Sequence, residues 1–208
     1  MSLFITFEGG EGSGKTVQTR ALYRRLSRLA IPVLLTHEPG GTASGERIAR
    51  LVKWSHNAGI SPLAELLLFN ASRAQLVEEI IKPALKSGKV VICDRYADST
   101  IAYQGYGRGL DLEMVRAANN TATRGLEPGL TILLDIPFKA GIARKANRKR
   151  DRFEQEDIAF HRRVRAGYLK LAAEEPERWL VIDATQSIEK IKEVIWERVS
   201  RLLPGQGG

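Results

Sequence analysis

GGEGSGKT, Gly9 to Thr16, is bracketed by the apolar run Leu3–Phe7 and by a helical pattern that begins near Lys15. A strand that stops in glycines and restarts as a helix aims several backbone N–H groups at one spot, with the positive end of the helix dipole behind them. The spacing Gly-x-x-x-x-Gly-Lys-Thr in that setting reads as a phosphate-binding loop. Gly9, Gly10, Glu11, Gly12, Ser13 and Gly14 would wrap the phosphates of a nucleoside triphosphate. Lys15 would reach the β- and γ-phosphates, and Thr16 would ligate Mg²⁺. A glycine-rich turn with no ligand is the competing reading, and the Lys-Thr pair at its proper offset argues against it.

Working outward, short aliphatic runs alternate with longer amphipathic ones. Strands are expected at Leu3–Phe7, Pro32–Thr36, Lys89–Asp94, Leu130–Asp135 and Trp179–Asp183. Helices are expected at Lys15–Leu29, Ser44–Val52, Pro62–Lys86, Leu112–Thr123, Ile158–Glu174 and Ile188–Leu202. Such alternation predicts an α/β fold, a five-stranded parallel sheet with helices on both faces. Ligands in such folds sit beyond the carboxyl ends of the strands. The phosphate loop, Glu38-Pro-Gly-Gly, Asp94-Arg-Tyr and Asp135-Ile-Pro all follow strands and should meet at one edge. One domain over residues 1–203 is expected, with a flexible tail at 204–208.

Composition narrows the class. The chain has 208 residues, 43% of them hydrophobic and 27% charged, ordinary for a soluble globular protein. No apolar run reaches membrane-spanning length, and no signal peptide is evident, which together predict a cytoplasmic protein with no membrane partner. The lone Cys93 lies in an apolar strand, so it reads as a small core residue and excludes an internal disulfide. His37, His56 and His161 have no metal-ligand spacing. A net charge of +8 calls for an anionic partner, either nucleic acid or a small polyphosphate. Part of that excess sits in Arg144–Arg152, RKANRKRDR, which lacks the interleaved aromatics of a single-strand binding platform.

At the predicted edge, Asp94 closes a strand beside the loop and is placed to hold Mg²⁺, directly or through water. Arg95 presents a planar fork suited to a phosphate, or to a structural pair with Glu8 or Asp94. Phe69 and Arg73, four apart on one helix, share a face and could grip a nucleobase. By periodicity alone Phe69 could equally be core.

FEGGEGSGKT, EPGGT (Glu38–Thr42), LLLFNASRAQ (Leu66–Gln75), DRYADSTIAYQGYGRGLD (Asp94–Asp111), LLDIP (Leu133–Pro137) and DRFE (Asp151–Glu154) occur in one order along nearly the whole chain. Together they resemble the bacterial thymidylate kinases. The resemblance implies a phosphate-loop nucleoside monophosphate kinase fold with a short basic lid at about residues 141–152. It implies transfer of the γ-phosphoryl group of Mg·ATP to thymidine monophosphate (dTMP), with no nucleic-acid partner. Phe69 would then stack on thymine, Arg73 would bond a base carbonyl, and Thr100 and Gln104 would address the base edge. Tyr103 would crowd the sugar 2′ position, although loop packing would explain Tyr103 and Gln104 as well. Arg95 would hold the acceptor phosphate, and Glu11 would lie near the sugar 3′-hydroxyl.

One branch of the family carries a catalytic arginine inside the loop. Here that position is Gly12, which implies the other branch, with the arginine in the lid. Arg148 is the first candidate, Arg150 the next, while Arg144 would flank the adenine. The turn Asp183-Ala-Thr185 would pass near that base, with Thr185 among the ATP contacts. Val17 replaces a threonine often found after Lys-Thr. Family members are usually homodimers, and Leu63–Phe69 or Leu112–Ala118 could supply the interface. The alternatives are a kinase for another nucleoside monophosphate, or a non-catalytic phosphate-loop protein that binds nucleic acid.

Overall fold

The computed structural model describes residues 2–54, 59–144 and 151–203. Its strands are β1 (Phe4–Glu8), β2 (Val33–His37), β3 (Val90–Asp94), β4 (Leu130–Asp135) and β5 (Trp179–Asp183). All pair in parallel in the order β2-β3-β1-β4-β5, so β1 is central. The expected five-stranded parallel α/β sheet is therefore present, with boundaries shifted by one residue at most.

Period-two alternation explains how the sheet is covered on both faces. Ile5, Phe7, Ile92, Leu130 and Ile132 point to one side, against Leu22 and Leu26 of α1 (Lys15–Arg28) and Ile191 and Ile195 of α9 (Ile188–Ser200). Phe4, Val91 and Cys93 point to the other, against Leu76, Val77 and Ile81. Further along that second face Leu133 and Trp179 meet α6 (Leu112–Thr123) and α8 (Ile158–Glu174). Each such aliphatic side chain contributes about 1.5–3 kcal/mol by leaving water.

Side-chain caps fix where helices begin. Ser61, Asp111, Asp157 and Ser187 each accept the backbone N–H three residues on. Helix α1 is different: its N-cap is Gly14, with no side-chain cap, so its first N–H groups remain directed at the phosphate loop.

The helix expected over Pro62–Lys86 is interrupted. α3 (Pro62–Leu76) widens into a π-turn at Val77–Ile81 before α4 (Lys82–Lys86). Pro83 has no N–H and its ring crowds the preceding turn, so widening there relieves a conflict a regular helix would hold. Two helical pieces follow segments read as turns: α5 (Ala97–Thr100) running into a π-helical Ile101–Gly107, and α7 (Phe138–Ala143). Glycines at 105 and 107 suggest a loop, but they serve close packing. A Cβ on Gly105 would come 2.6 Å from Leu112, and one on Gly107 2.7 Å from the Phe160 ring. Helix α2 (Ala43–Trp54) completes the set and packs on α3.

Candidate active site

The loop after β1 takes backbone conformations that favour glycine. Gly9, Gly12 and Gly14 have φ of 136°, 69° and 93°. At Gly12 a Cβ would stand 1.9 Å from the Gly141 carbonyl oxygen, and at Gly141 one would stand 2.1 Å from that of Glu11. The phosphate loop and α7 thus touch backbone to backbone. The Lys15 amine spans the loop, donating to the Gly9 and Gly10 carbonyls at 2.9 Å each and to Ser13 Oγ at 3.3 Å. Burial, reinforced by Arg95, pushes its pKa down to about 8. Thr16 Oγ1 donates to Asp94 Oδ2 at 2.7 Å, so the two predicted metal ligands are adjacent. A hydroxyl and a carboxylate facing one cavity suit a hard cation that completes its shell with water and phosphate oxygens.

Arg95 follows β3 with φ 73°, a left-handed conformation unusual outside glycine. Its partners differ from those expected. It pairs with Glu11 Oε1 at 2.7 Å rather than with Glu8 or Asp94. It also donates to Gly9 O at 3.1 Å and to Ser99 Oγ, Tyr168 OH and Tyr103 OH at 3.3 Å each. Glu8 lies one layer below and is fully buried. It accepts from Tyr96 N at 2.8 Å, Ser99 Oγ at 2.5 Å and Tyr168 OH at 2.9 Å. Burial, then the charge of Asp98, raises its pKa to about 7 against the opposing bonds from Ser99 and Tyr168. The pairing with Glu11 was not foreseen because backbone reach across the loop is not encoded in sequence spacing.

A cavity of 1070 Å³ opens from this loop. It is lined by Lys15, Thr16, Asp94 and Arg95, and also by Phe69, Arg73, Thr100, Tyr103 and Gln104. The separate sequence clues converge. Arg73 is 1% exposed, and each of its five N–H groups has a protein acceptor. Nε donates to Glu38 at 2.8 Å, Nη1 to Asn70 at 3.3 Å and Asn119 at 2.8 Å, and Nη2 to Tyr96 O at 3.2 Å and Thr100 Oγ1 at 2.9 Å. A base carbonyl would have to share one of these donors. Phe69 is half-buried, its ring 5.6 Å from that of Phe153. Tyr103 sits on the π-helical segment rather than a loop and donates to Glu11 Oε1 at 3.1 Å.

Glu65 is a residue that the sequence reading passed over. It is fully buried on α3, with Gln104 Nε2 at 2.7 Å, Arg108 Nε at 3.1 Å and Arg152 Nη2 as donors. A carboxylate gripped by two arginines accepts only, so it directs the Gln104 amide nitrogen toward itself. The available signal was a lone acid inside the apolar run LAELLLF, since acids are rarely buried unless paired. Lys53 was also missed and also lines the cavity.

Arg144 also lines the cavity. Thr185 is exposed and turned to Asp183, its N and Oγ1 donating to Oδ1 at 2.8 and 2.7 Å. Its neighbours Ala184, Gln186 and Ser187 line the cavity. Arg148, Arg150 and residues 204–208 lie outside the described residues.

The family model described as Thymidylate kinase matches residues 7–195. The chain belongs to the thymidylate kinase family. It is 57% identical over 203 residues to a thymidylate kinase of Dehalococcoides mccartyi, covering 98% of each chain. It is 49% identical over 208 residues to one of Roseiflexus sp., covering 94% of this chain and 92% of the relative. The crystal structure of thymidylate kinase from Ehrlichia chaffeensis superimposes with a TM-score of 0.77 at 37% identity, over 97% of this chain and 99% of the other. The phosphate-loop nucleoside monophosphate kinase fold inferred from the sequence is thus the thymidylate kinase fold. Neither alternative, a different acceptor or a non-catalytic nucleic-acid binder, is favoured by these relatives.

Proposed function

We propose that this chain transfers the γ-phosphoryl group of ATP to dTMP, giving dTDP and ADP on the route to dTTP. The observation that carries the reading is one cavity lined by both the phosphate loop and an aromatic and polar pocket, with Arg95 bonded to Gly9 O of the loop and to Tyr103 OH. No general base is required. A phosphate monoester has a second pKa of about 6, so the acceptor arrives at neutral pH mostly as a nucleophilic dianion. What the protein must do is bring two polyanions into line and neutralise developing charge.

In this reading Lys15 leaves its loop carbonyls for the β- and γ-phosphates, and the N–H groups of Gly9 to Thr16 surround them. Thr16 and Asp94 would hold Mg²⁺, which would supply charge neutralisation on the donor phosphates when bound. Arg95, braced by Ser99 and Tyr168 over Glu8, holds the acceptor phosphate. Phe69 stacks on thymine, while Arg73, Thr100 and Gln104 meet its edge. Tyr103 fills the 2′ position, and Glu11 serves the 3′-hydroxyl. Arg144 and Thr185 belong to the adenine end. Arg148, with Arg150 next, is the lid cation for the transition state, a role that explains the basic stretch better than a nucleic-acid arm does.

A coupled ADP-release assay with Mg·ATP tests this on dTMP, dUMP, UMP, dCMP, AMP and GMP. Strong preference for dTMP is expected. Preference for another acceptor would keep the kinase and discard the base site. Absence of turnover by folded, ATP-binding protein would discard both.

The enzyme is further proposed to act as a homodimer in the cytoplasm. Leu63 and Leu67 are 47% and 56% exposed and continue into exposed Ala71 and Ala74, an apolar stripe along α3. Cys93 is buried and free, as suits a reducing compartment. Among the described residues no helix is long and apolar enough to cross a membrane. Sedimentation should report twice the 23.1 kDa chain mass. A monomer at micromolar concentration would remove the dimer from the reading.

A further inference from the structure

Lys53 belongs to none of the sequence motifs, yet it lines the cavity together with Arg95, Phe69 and Tyr103. Backbone contacts fix its position there. The Lys53 carbonyl accepts from Arg152 N at 3.0 Å, and the Val52 carbonyl accepts from Arg152 Nε at 3.1 Å. The next residue, Phe153, brings its ring 5.6 Å from Phe69 and 6.0 Å from Tyr103. The C-terminal end of α2 therefore borders the acceptor half of the cavity.

Among the described residues the Lys53 amine has no hydrogen-bond or ion-pair partner. The charges that act on it are Arg95 foremost, then Asp151, Glu11 and Asp94. Burial and Arg95 both oppose its charge and lower its pKa. The ordinary fate of such a lysine is to run its stem along apolar surface and leave the amine in water. Here the side chain is only partly exposed, and the foremost charge acting on the amine is another cation. An anion placed between two cations turns that repulsion into attraction on both sides.

We propose that Lys53 binds the phosphate of the acceptor nucleotide, as a second cation opposite Arg95. The proposal deepens the reading of this cavity as a dTMP site and rests on it. Lysine suits this position because a compact point charge with three donors complements the planar fork of Arg95.

Lys53→Met keeps length and removes charge, and Lys53→Arg keeps charge. The Met variant should show KM for dTMP raised about tenfold, equivalent to about 1.4 kcal/mol. KM for ATP and the melting temperature should be unchanged, and the Arg variant should recover most of the loss. Calorimetry supplies a readout that a structural role would not reproduce. Thymidine, which lacks the phosphate, should bind wild type and Lys53→Met equally, while dTMP should separate them. Unchanged dTMP affinity, an equal loss for thymidine, or a loss confined to ATP would each overturn the proposal. Wild-type protein with no turnover of dTMP would instead overturn the underlying substrate reading.

Discussion

Lys15→Ala is expected to lower kcat/KM by about a hundred- to a thousandfold, the scale for deleting a preorganised group that meets developing charge. The amine now spans three acceptors of the loop, so its removal takes away both the charge and the tie that holds Gly9, Gly10 and Ser13 together. Both losses fall on the phosphate site. The fold should survive, because the substitution strands no buried charge that Lys15 was neutralising: the nearest carboxylates keep Arg95 and Thr16 as partners. Its depressed pKa adds a pH signature. Because a lysine loses its charge as pH rises through its pKa, ATP should bind progressively less well to wild type above about pH 8, and that slope should vanish in Lys15→Ala. Turnover near wild-type level would refute the phosphate-loop assignment.

Arg73→Met should have the largest effect on stability. Its guanidinium pairs with buried Glu38 at 2.7 Å and satisfies four further acceptors on three helical segments. Removing one partner of a buried ion pair costs about 3–5 kcal/mol, because the other charge is left without compensation. At roughly 2–4 °C per kcal/mol for a chain of this size, the melting temperature should fall by about 6–20 °C. The double variant Glu38→Met/Arg73→Met should recover part of the loss, since two apolar groups replace a stranded carboxylate. A single-variant loss below about 1 kcal/mol would show that the network is dispensable, and a double variant no better than the single would show that Glu38 is not what Arg73 neutralises.

The parts of this site written in local pattern were legible early. A strand ending in glycines, or an aliphatic run ending in Asp94, states its geometry within ten residues, and Thr16 and Asp94 lie within hydrogen-bond reach of each other. Residues whose role depends on tertiary proximity were not legible. Glu65 gains meaning only once Gln104, Arg108 and Arg152, from three later parts of the chain, arrive around it. Lys53 shows no local signal, because its importance comes from Arg152 folding back onto α2. Tyr96–Gly107 misled for the opposite reason. Loop packing could explain Tyr103 and Gln104, whereas the segment is π-helical, with Gly105 and Gly107 kept small by Leu112 and Phe160.

The contact between Gly12 and Gly141 constrains the history open to this enzyme. Placing an arginine at position 12 would drive its Cβ to within 1.9 Å of the Gly141 carbonyl. Glycine is held on the α7 side too, since a side chain at 141 would strike Glu11 O. Neither position can mutate to a larger residue without backbone retreat in the other. A chain with glycine at position 12 is therefore not one codon away from a stable chain with arginine there. Exchange between the two designs requires linked changes in two separate segments, and an intermediate with only one of them would bear the steric cost.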